Sequence, residues 1–109
     1  MANPKRGEVW IVDLGMSAKI RPCLVVSMPA DQENDRVLVT LVAHTTSLRG
    51  SRFEVVIPVP FLKPGAFDTQ NLLTIPHAKL VRRIGSLNDD QMATVMRVVK
   101  AWLGLVEDE

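Results

Sequence analysis

Arg21 and Pro22 open an apolar run and form the clearest candidate for chemistry in this sequence. The run reads Arg21-Pro22-Cys23-Leu24-Val25-Val26-Ser27. The ring of Pro22 restricts Arg21 to the β or polyproline region, and because proline lacks an N–H we expect it at the beginning of a strand rather than in its middle. The guanidinium of Arg21 therefore projects from a fixed backbone and can hydrogen-bond two oxygens at once. This pair predicts an arginine that binds phosphate or carboxylate; the structural alternative is a salt bridge to Asp13 or Glu54.

Three consecutive hydroxyl residues form a second candidate. Thr45, Thr46 and Ser47 follow an apolar segment that ends at Ala43. Hydroxyls can donate to a phosphate oxygen or position a ribose hydroxyl, but they also cluster in loops because they satisfy their own backbone. On the residues alone, ligand binding and loop structure are both open.

Cysteine and histidine are too sparse for several other chemistries. The chain has one cysteine and two histidines, which excludes an intrachain disulfide and predicts no zinc site of the usual spacing. We expect Cys23 to be a small buried apolar side chain. Histidine is the residue type whose intrinsic pKa suits acid–base work, but we expect His44 and His77 each to cap or satisfy a loop.

Composition and charge set the class of protein. The chain has 109 residues, of which 47% are hydrophobic and 23% charged, and this predicts one globular domain over 1–109. The formal charge is +1, but without the acidic tail 107–109 it is +4, from 13 basic and 9 acidic side chains. Such a charge permits nucleic-acid binding without requiring it. No apolar stretch has the length of a signal peptide or a membrane span, so we expect a cytoplasmic protein without membrane contact.

The elements that must position these residues are mostly strands. Short apolar or alternating segments separated by turn residues predict strands at 8–14, 23–28, 37–43, 53–59, 67–75 and 79–84. The segment 15–19 is the loop before Arg21, and Lys63-Pro64-Gly65 is a turn signal. Five or more closely spaced strands favour a small, strongly bent barrel or half-barrel.

The C-terminal part has a helical pattern. Asn88 can cap a helix with Gln91 three residues later, and Gly104 can end it. The spacing predicts an amphipathic helix over 89–103, with an apolar face formed by Met92, Val95, Met96, Val99 and Leu103. The predicted fold class is therefore mainly β with a C-terminal helix, an α+β protein.

Three blocks of the sequence, in the same order, resemble the MazF/PemK (Kid) toxins, the endoribonucleases of bacterial type II toxin–antitoxin systems. The first joins Gly7-Glu8-Val9-Trp10 to the Arg21–Ser27 run; the second, 44–55, resembles the Thr-Thr loop and the Phe-Glu-Val strand of the family; the third, 79–87, resembles its last strand before the helix. The likeness covers nearly the whole chain. It implies an SH3-like, PemK-type barrel that forms a homodimer.

The resemblance also implies a reaction. Members of the family cleave single-stranded RNA, with sequence preference and without a metal, by attack of the 2′-hydroxyl; the products carry 2′,3′-cyclic phosphate and 5′-hydroxyl ends. Arg21 would stabilise the charge on the phosphorane, and Thr45 matches the threonine that works beside the arginine. The implied partners are RNA, a cognate antitoxin and a second copy of the chain, with an RNA groove that runs across the dimer interface. No cofactor is implied.

Further positions are expected to bind the substrate. Thr46 and Ser47 belong to the hydroxyl cluster, and Lys19 is the phosphate-binding residue of the short loop before Arg21. Arg49 and Arg52 flank Gly50 and can hold the RNA backbone, or are exposed loop charges.

The acid position of the family is altered in this chain. Many members have an acidic residue followed by glutamine, and Gln70-Asn71 falls at that position. Glutamine cannot titrate, so Asp68 is expected to stand in, because residues two apart share a face of a strand. The alternative is a site that relies on Arg21 and threonine hydroxyls, with water or no residue as the acid. Asp68 and Gln70 are both candidate substrate contacts.

Two other functions are compatible with the sequence. One is a gyrase-binding toxin on the same fold, which would contact its target through the helix that ends near Trp102. The other is an RNA-binding barrel without catalysis, which the altered acid position favours. Exposure of Trp102 would support the first, and RNA affinity without cleavage the second.

Overall fold

The fold is a six-stranded antiparallel sheet followed by one helix. The computed structural model describes residues 3–15 and 20–106. The strands are β1 (Glu8–Asp13), β2 (Ile20–Val25), β3 (Leu38–Thr45), β4 (Glu54–Val55), β5 (Ala66–Pro76) and β6 (Leu80–Ser86), and the helix is α1 (Asp89–Trp102). A short 3₁₀ turn, His77–Lys79, joins β5 to β6. The strand order is β4-β5-β3-β2-β1-β6, and every pairing is antiparallel. The predicted fold class is confirmed.

The sheet is apolar on both faces. Leu24 and Val42 belong to one buried cluster, which α1 covers with Met92, Val95 and Val99. Their chain neighbours belong to a second buried cluster, formed by Val12, Cys23, Val25, Val39, Leu41 and Ala43. Because successive side chains of a strand point to opposite faces, the two clusters lie on opposite sides of the sheet. Burial on both faces explains why β2 and β3 are nearly continuous apolar runs.

The helix begins as the sequence predicts. Asn88 accepts a hydrogen bond from the Gln91 N–H at 2.8 Å, and the Gln91 side chain accepts one from the Asn88 N–H at 2.9 Å. This capping box satisfies two N–H groups that the helix itself leaves unpaired. The helix ends at Trp102, one residue before the predicted end, and Gly104 follows with φ +74°. Leu103 is 50% exposed, so its assignment to the apolar face is wrong.

Two strands differ from the prediction because of proline. Strand β2 begins at Ile20, so Pro22 is its third residue; it pairs there with Ile11 of β1, while pairing with β3 begins only at Cys23. Proline is tolerated in a strand where one side has no partner. The strand predicted over 53–59 is only two residues long, because Pro58 and Pro60 remove the N–H groups that would extend it.

Within the described ranges, no helix is long and apolar enough to cross a membrane.

Candidate functional site

An open groove of about 490 Å³ lies where strands β2 and β3 diverge. We call it the Arg21 groove. It contains four of the predicted site residues: Arg21, Thr45, Thr46 and Ser47. Its other described lining residues are Ile11, Ile20, Pro22, His44, Phe61, Leu62, Lys63, Arg82 and Ile84.

The strand register explains why Arg21 and Thr45 meet. β2 and β3 pair through Cys23–Ala43, Leu24–Val42 and Val25–Leu41, and the ladder stops there. Extending the same register by two residues places Arg21 opposite Thr45, and directly opposite residues share a face of the sheet. The residue between them in β2 is Pro22, which has no N–H to continue the ladder. The groove therefore opens at a fork between two strands.

One row of paired residues crosses the sheet beneath the groove. Arg82 of β6 pairs with Ile11 of β1, and Ile11 pairs with Pro22 of β2. The β2–β3 register continues this row to His44, which pairs with Phe67 of β5. These residues share one face, and by alternation Arg21 and Thr45 lie on the other face at the mouth of the groove. The groove thus joins a floor of mixed character, with Ile11 and Pro22 beside Arg82 and His44, to a polar mouth.

The Thr45 hydroxyl is held in place by its own loop. Its Oγ1 accepts a hydrogen bond from the Ser47 N–H at 3.0 Å. Gly65 packs against the Thr45 carbonyl so closely that a Cβ at position 65 would collide with that oxygen. A glycine is therefore needed for β5 to approach the end of β3.

The Arg21 groove is electropositive. Among the described residues that line it, the charged ones are Arg21, Lys63 and Arg82, and none is acidic. None of the three forms an ion pair with a carboxylate in the described part of the chain. Three cations without a carboxylate partner form a site for an anion.

The salt-bridge alternative for Arg21 is wrong for both proposed partners. The Asp13 carboxylate accepts a hydrogen bond from the Gly15 N–H at 2.9 Å. The Glu54 carboxylate accepts bonds from the N–H groups of Arg49 and Ser51, at distances of 3.0 to 3.2 Å.

The other described site residues lie in a separate, smaller groove. This Asp68 groove, of about 220 Å³, is lined by Arg49, Ser51, Glu54, Asp68, Gln70 and Asn71. Asp68 and Gln70 line this groove together, and the Asp68 Oδ1 accepts a hydrogen bond from the Gln70 N–H at 3.1 Å. Asp68 does not line the Arg21 groove.

The carboxylate of Glu54 fastens the loop beside the Asp68 groove. Hydrogen bonds from the backbone, chiefly from the Arg49 N–H, lower the pKa of Glu54 below its ordinary value of 4.5. Glu54 is therefore ionised at neutral pH, and its carboxylate is used to hydrogen-bond the protein's own backbone.

Part of the predicted site lies outside the described residues. Lys19, the remainder of the predicted loop 15–19 after Gly15, and the acidic tail 107–109 all fall there.

Of the nine lining residues of the Arg21 groove that were not predicted as site residues, four can contact a ligand through a charge, an aromatic ring or an imidazole. Phe61, Lys63 and Arg82 come from distant parts of the chain, and no local spacing connects them to Arg21. His44 was expected to satisfy a loop, but it is a residue of β3 that is only 5% exposed. Burial lowers the pKa of His44 below its ordinary value of 6.5, so its imidazole is neutral at physiological pH. The position of His44 next to the candidate residue Thr45 is the sequence signal that could have identified it as a groove residue.

The cysteine is a core residue, as predicted. Cys23 is fully buried, and burial raises the pKa of its thiol to about 12. At neutral pH the thiol is protonated and is not a nucleophile. In 3–15 and 20–106, no three His, Cys, Asp or Glu side chains are grouped so that they could hold a metal ion.

A sequence model of the PemK-like, MazF-like toxins of type II toxin–antitoxin systems matches residues 5–103. The match spans most of the chain, and the protein belongs to this toxin family. The resemblance found in the three sequence blocks is confirmed.

Solved structures agree with this assignment. An endoribonuclease from a mycobacterial species is 25% identical with a TM-score of 0.80, and the match covers 99% of this chain and 98% of that one. A mycobacterial endoribonuclease in complex with its cognate antitoxin is 26% identical with a TM-score of 0.80, covering 96% and 99%. A MazF toxin of Mycobacterium tuberculosis is 28% identical with a TM-score of 0.74, covering 91% and 98%.

Proposed function

We propose that this protein is a sequence-preferring endoribonuclease, an mRNA interferase that acts on single-stranded RNA without a metal ion. The observation that carries the proposal is the Arg21 groove, which combines three cations and a hydroxyl cluster. The similarity to mycobacterial endoribonucleases over nearly the full length of both chains supports the activity.

The proposed reaction is an internal transfer of the phosphoryl group. The ribose 2′-oxygen forms a bond to the adjacent phosphorus, and the bond from phosphorus to the 5′-oxygen breaks. The proton of the 2′-hydroxyl passes to water, and the leaving 5′-oxygen takes a proton from water. The products are a 2′,3′-cyclic phosphate and a 5′-hydroxyl end.

Arg21 is the proposed stabiliser of the transition state. Charge accumulates on the non-bridging oxygens as the phosphorane forms, and a preorganised donor aimed at developing charge is usually the largest catalytic contribution. The guanidinium suits this role because no described carboxylate neutralises it and because its backbone lies in a strand paired with β1. Thr45 is the proposed catalytic partner, with its hydroxyl fixed by the Ser47 N–H.

The remaining predicted residues are proposed to bind the RNA. Thr46 and Ser47 lie at the mouth of the Arg21 groove, and Lys19 belongs to the loop just before Arg21. At the Asp68 groove, the RNA strand would contact Arg49, Asp68 and Gln70. Asp68 enters the proposal as a binding residue, because it does not line the Arg21 groove.

The proposed partners follow from the family and the surface. A homodimer is supported by exposed apolar side chains such as Ile20 and Leu48, which are 63% and 53% exposed. A cognate antitoxin is supported by the solved complex of a related endoribonuclease with its antitoxin. The site of action would be the cytoplasm, where the messenger RNA is.

A metal-free cleavage assay tests the proposal. Purified protein is incubated with a long single-stranded RNA in EDTA, next to Arg21→Ala, and the cut sites and end groups are mapped. We expect discrete cuts with 2′,3′-cyclic phosphate ends that disappear in the variant. Cleavage that requires added Mg²⁺ would contradict metal independence.

The same assay separates the alternatives. Intact RNA with measurable RNA affinity would favour a non-catalytic binding barrel. Intact RNA together with capture of gyrase would favour a gyrase-binding toxin; Trp102, 42% exposed and packed edge-on against Phe53 at 5.3 Å, supports this second candidate. In that case, a Trp102→Ala variant that stays folded but loses gyrase capture would identify the contact.

A further inference from the structure

Six of the thirteen described lining residues of the Arg21 groove are apolar, and a site for phosphate alone does not need them. Ile11 and Pro22 lie on the floor, and Phe61, Leu62 and Ile84 line the walls. Ligand sites of this kind, with apolar walls and a few placed polar groups, suit flat organic ligands. In single-stranded RNA the matching group is an unstacked nucleobase.

His44 is a polar residue of this floor. Its ring packs edge-on against Phe67 at a centroid distance of 5.0 Å, and a Cβ at Gly65 would lie 2.9 Å from its Cε1. The imidazole is therefore held between β5 and the Gly65 turn, and the residue as a whole is only 5% exposed.

The ring nitrogens of His44 have no hydrogen-bond partner in the part of the chain that the structure describes. By contrast, the other buried histidine, His77, bonds to the Leu38 carbonyl at 3.2 Å. No described side-chain nitrogen or oxygen is both fully enclosed and without a hydrogen-bond partner. The His44 nitrogens therefore keep some access to solvent, and His44 is a lining residue of the groove, where a ligand can approach them.

Phe61 gives the groove an aromatic wall. A Cβ at Gly85 would lie 2.5 Å from the Phe61 ring, so the ring rests directly on the backbone of β6. Aromatic side chains in such positions bind bases by stacking. Lys63 and Arg82 also line the groove and can hold the flanking phosphates.

We propose that the Arg21 groove receives one nucleobase of the RNA, between Phe61 and the floor, and that His44 reads the hydrogen-bonding edge of this base. The inference rests on the proposed function, since it names a specificity-determining residue for that substrate. A neutral imidazole offers one donor and one acceptor, and an unpaired base presents both kinds of group. Burial keeps His44 in that neutral form at physiological pH.

The first test maps sequence preference. Wild-type protein, His44→Gln and the matched control His77→Gln are each given a randomised RNA, and the bases around every cut are counted. We expect His44→Gln to lose between about 5- and 150-fold of the preference at one base position, the range of one good base contact. The preference at the other positions and the pattern of His77→Gln should match the wild type.

Two results of this mapping would overturn the proposal. One is an unchanged preference at every position in His44→Gln. The other is a rate that falls equally for all sequences, together with loss of an acid limb in the pH profile, which would make His44 a proton-transfer residue instead.

The second test uses the wild-type protein and needs neither cleavage nor a stable variant. The imidazole nitrogens are followed by NMR during titration with 2′-O-methyl RNA oligonucleotides, which cannot be cut. We expect the His44 signals to shift with some bases and not with an abasic residue at the same position. No shift, or the same shift with the abasic oligonucleotide, would overturn the proposal. If the protein shows the base-dependent shift but leaves unmodified RNA intact, the nuclease proposal fails while the base pocket stands.

Discussion

Apart from Arg52, whose guanidinium lies over the Phe53 ring, the predicted site residues that the structure describes lie in the Arg21 groove and the Asp68 groove, which differ in what their charged groups do. In the Asp68 groove the carboxylates of Glu54 and Asp68 accept hydrogen bonds from the backbone of their own loop and strand. In the Arg21 groove, three cations and the nitrogens of His44 have no hydrogen-bond partner among the described residues. Polar groups that the fold satisfies support structure, whereas those it leaves unsatisfied are available to a ligand.

The largest expected effect is on the rate of RNA cleavage, and it distinguishes the roles of the two grooves. Arg21→Ala should lower kcat/KM for RNA by roughly 10²- to 10³-fold, the cost of losing one preorganised donor to the transition state. Asp68→Asn should cost less than about tenfold, as expected for a residue that only binds. Single-turnover cleavage of a labelled oligonucleotide measures both, and thermal melts check that both variants fold. Equal losses in the two variants would mean that the grooves form one catalytic site.

A steric change should damage the Arg21 groove without removing a functional group. Gly65→Ala places a Cβ against the Thr45 carbonyl and beside His44, so the end of β3 must move. Forcing an extra carbon into a packed site typically costs about 1–3 kcal/mol of stability. We expect a lower melting temperature and reduced cleavage by the protein that is still folded, measured by calorimetry and by an active-site-normalised assay. Unchanged activity would show that the position of Thr45 is unimportant.

The salt dependence of RNA binding tests the cations of the Arg21 groove. If Lys63 contacts a phosphate, Lys63→Ala should reduce the slope of log Kd against log salt concentration by about 0.7. Lys79→Ala, which removes an exposed lysine outside the groove, is the matched control and should leave the slope unchanged. Fluorescence anisotropy with a 2′-O-methyl oligonucleotide at several salt concentrations gives the slopes. The same reduction in both variants would mean that the charge of Lys63 acts only at long range.

The smallest effect on cleavage is expected in the Asp68 groove. Glu54→Gln should change kcat/KM by less than about tenfold while lowering the melting temperature at neutral pH. The lowered pKa of Glu54 means that its ionised form stabilises the fold above the ordinary value of 4.5, and that this contribution disappears as the pH falls through the lower value of the folded state. Melting curves from neutral to acidic pH should therefore converge for the variant and the wild type. A constant difference at all pH values would contradict the role of the charge.

Features encoded by neighbouring residues were predictable from the sequence. The Asn88–Gln91 capping box, the β-branched run of β2 and the buried Cys23 each depend on a few adjacent positions. The shortening of β4 was missed because the prolines after Val55 were taken to end a longer strand, although they prevent most of it from forming.

The grouping of the site was only partly predictable. Arg21 and Thr45 are 24 positions apart, and only the β2–β3 register places them opposite each other. The sequence indicates that Asp68 and Gln70 share a face, but it does not show that this face belongs to another groove. Lys63 and Arg82 reach the Arg21 groove through long-range packing, for which no periodicity of the chain provides a signal.

The fork at Pro22 means that the Arg21 groove exists before any RNA arrives. A residue with an N–H at this position would let β2 and β3 continue their ladder towards Arg21 and Thr45. The gap between the two strands would then be closed by backbone hydrogen bonds. Proline prevents this through its covalent structure, at every temperature and salt concentration at which the sheet is folded. Strands β2 and β3 therefore need not separate here when RNA binds, and the free energy of RNA association is not reduced by that step.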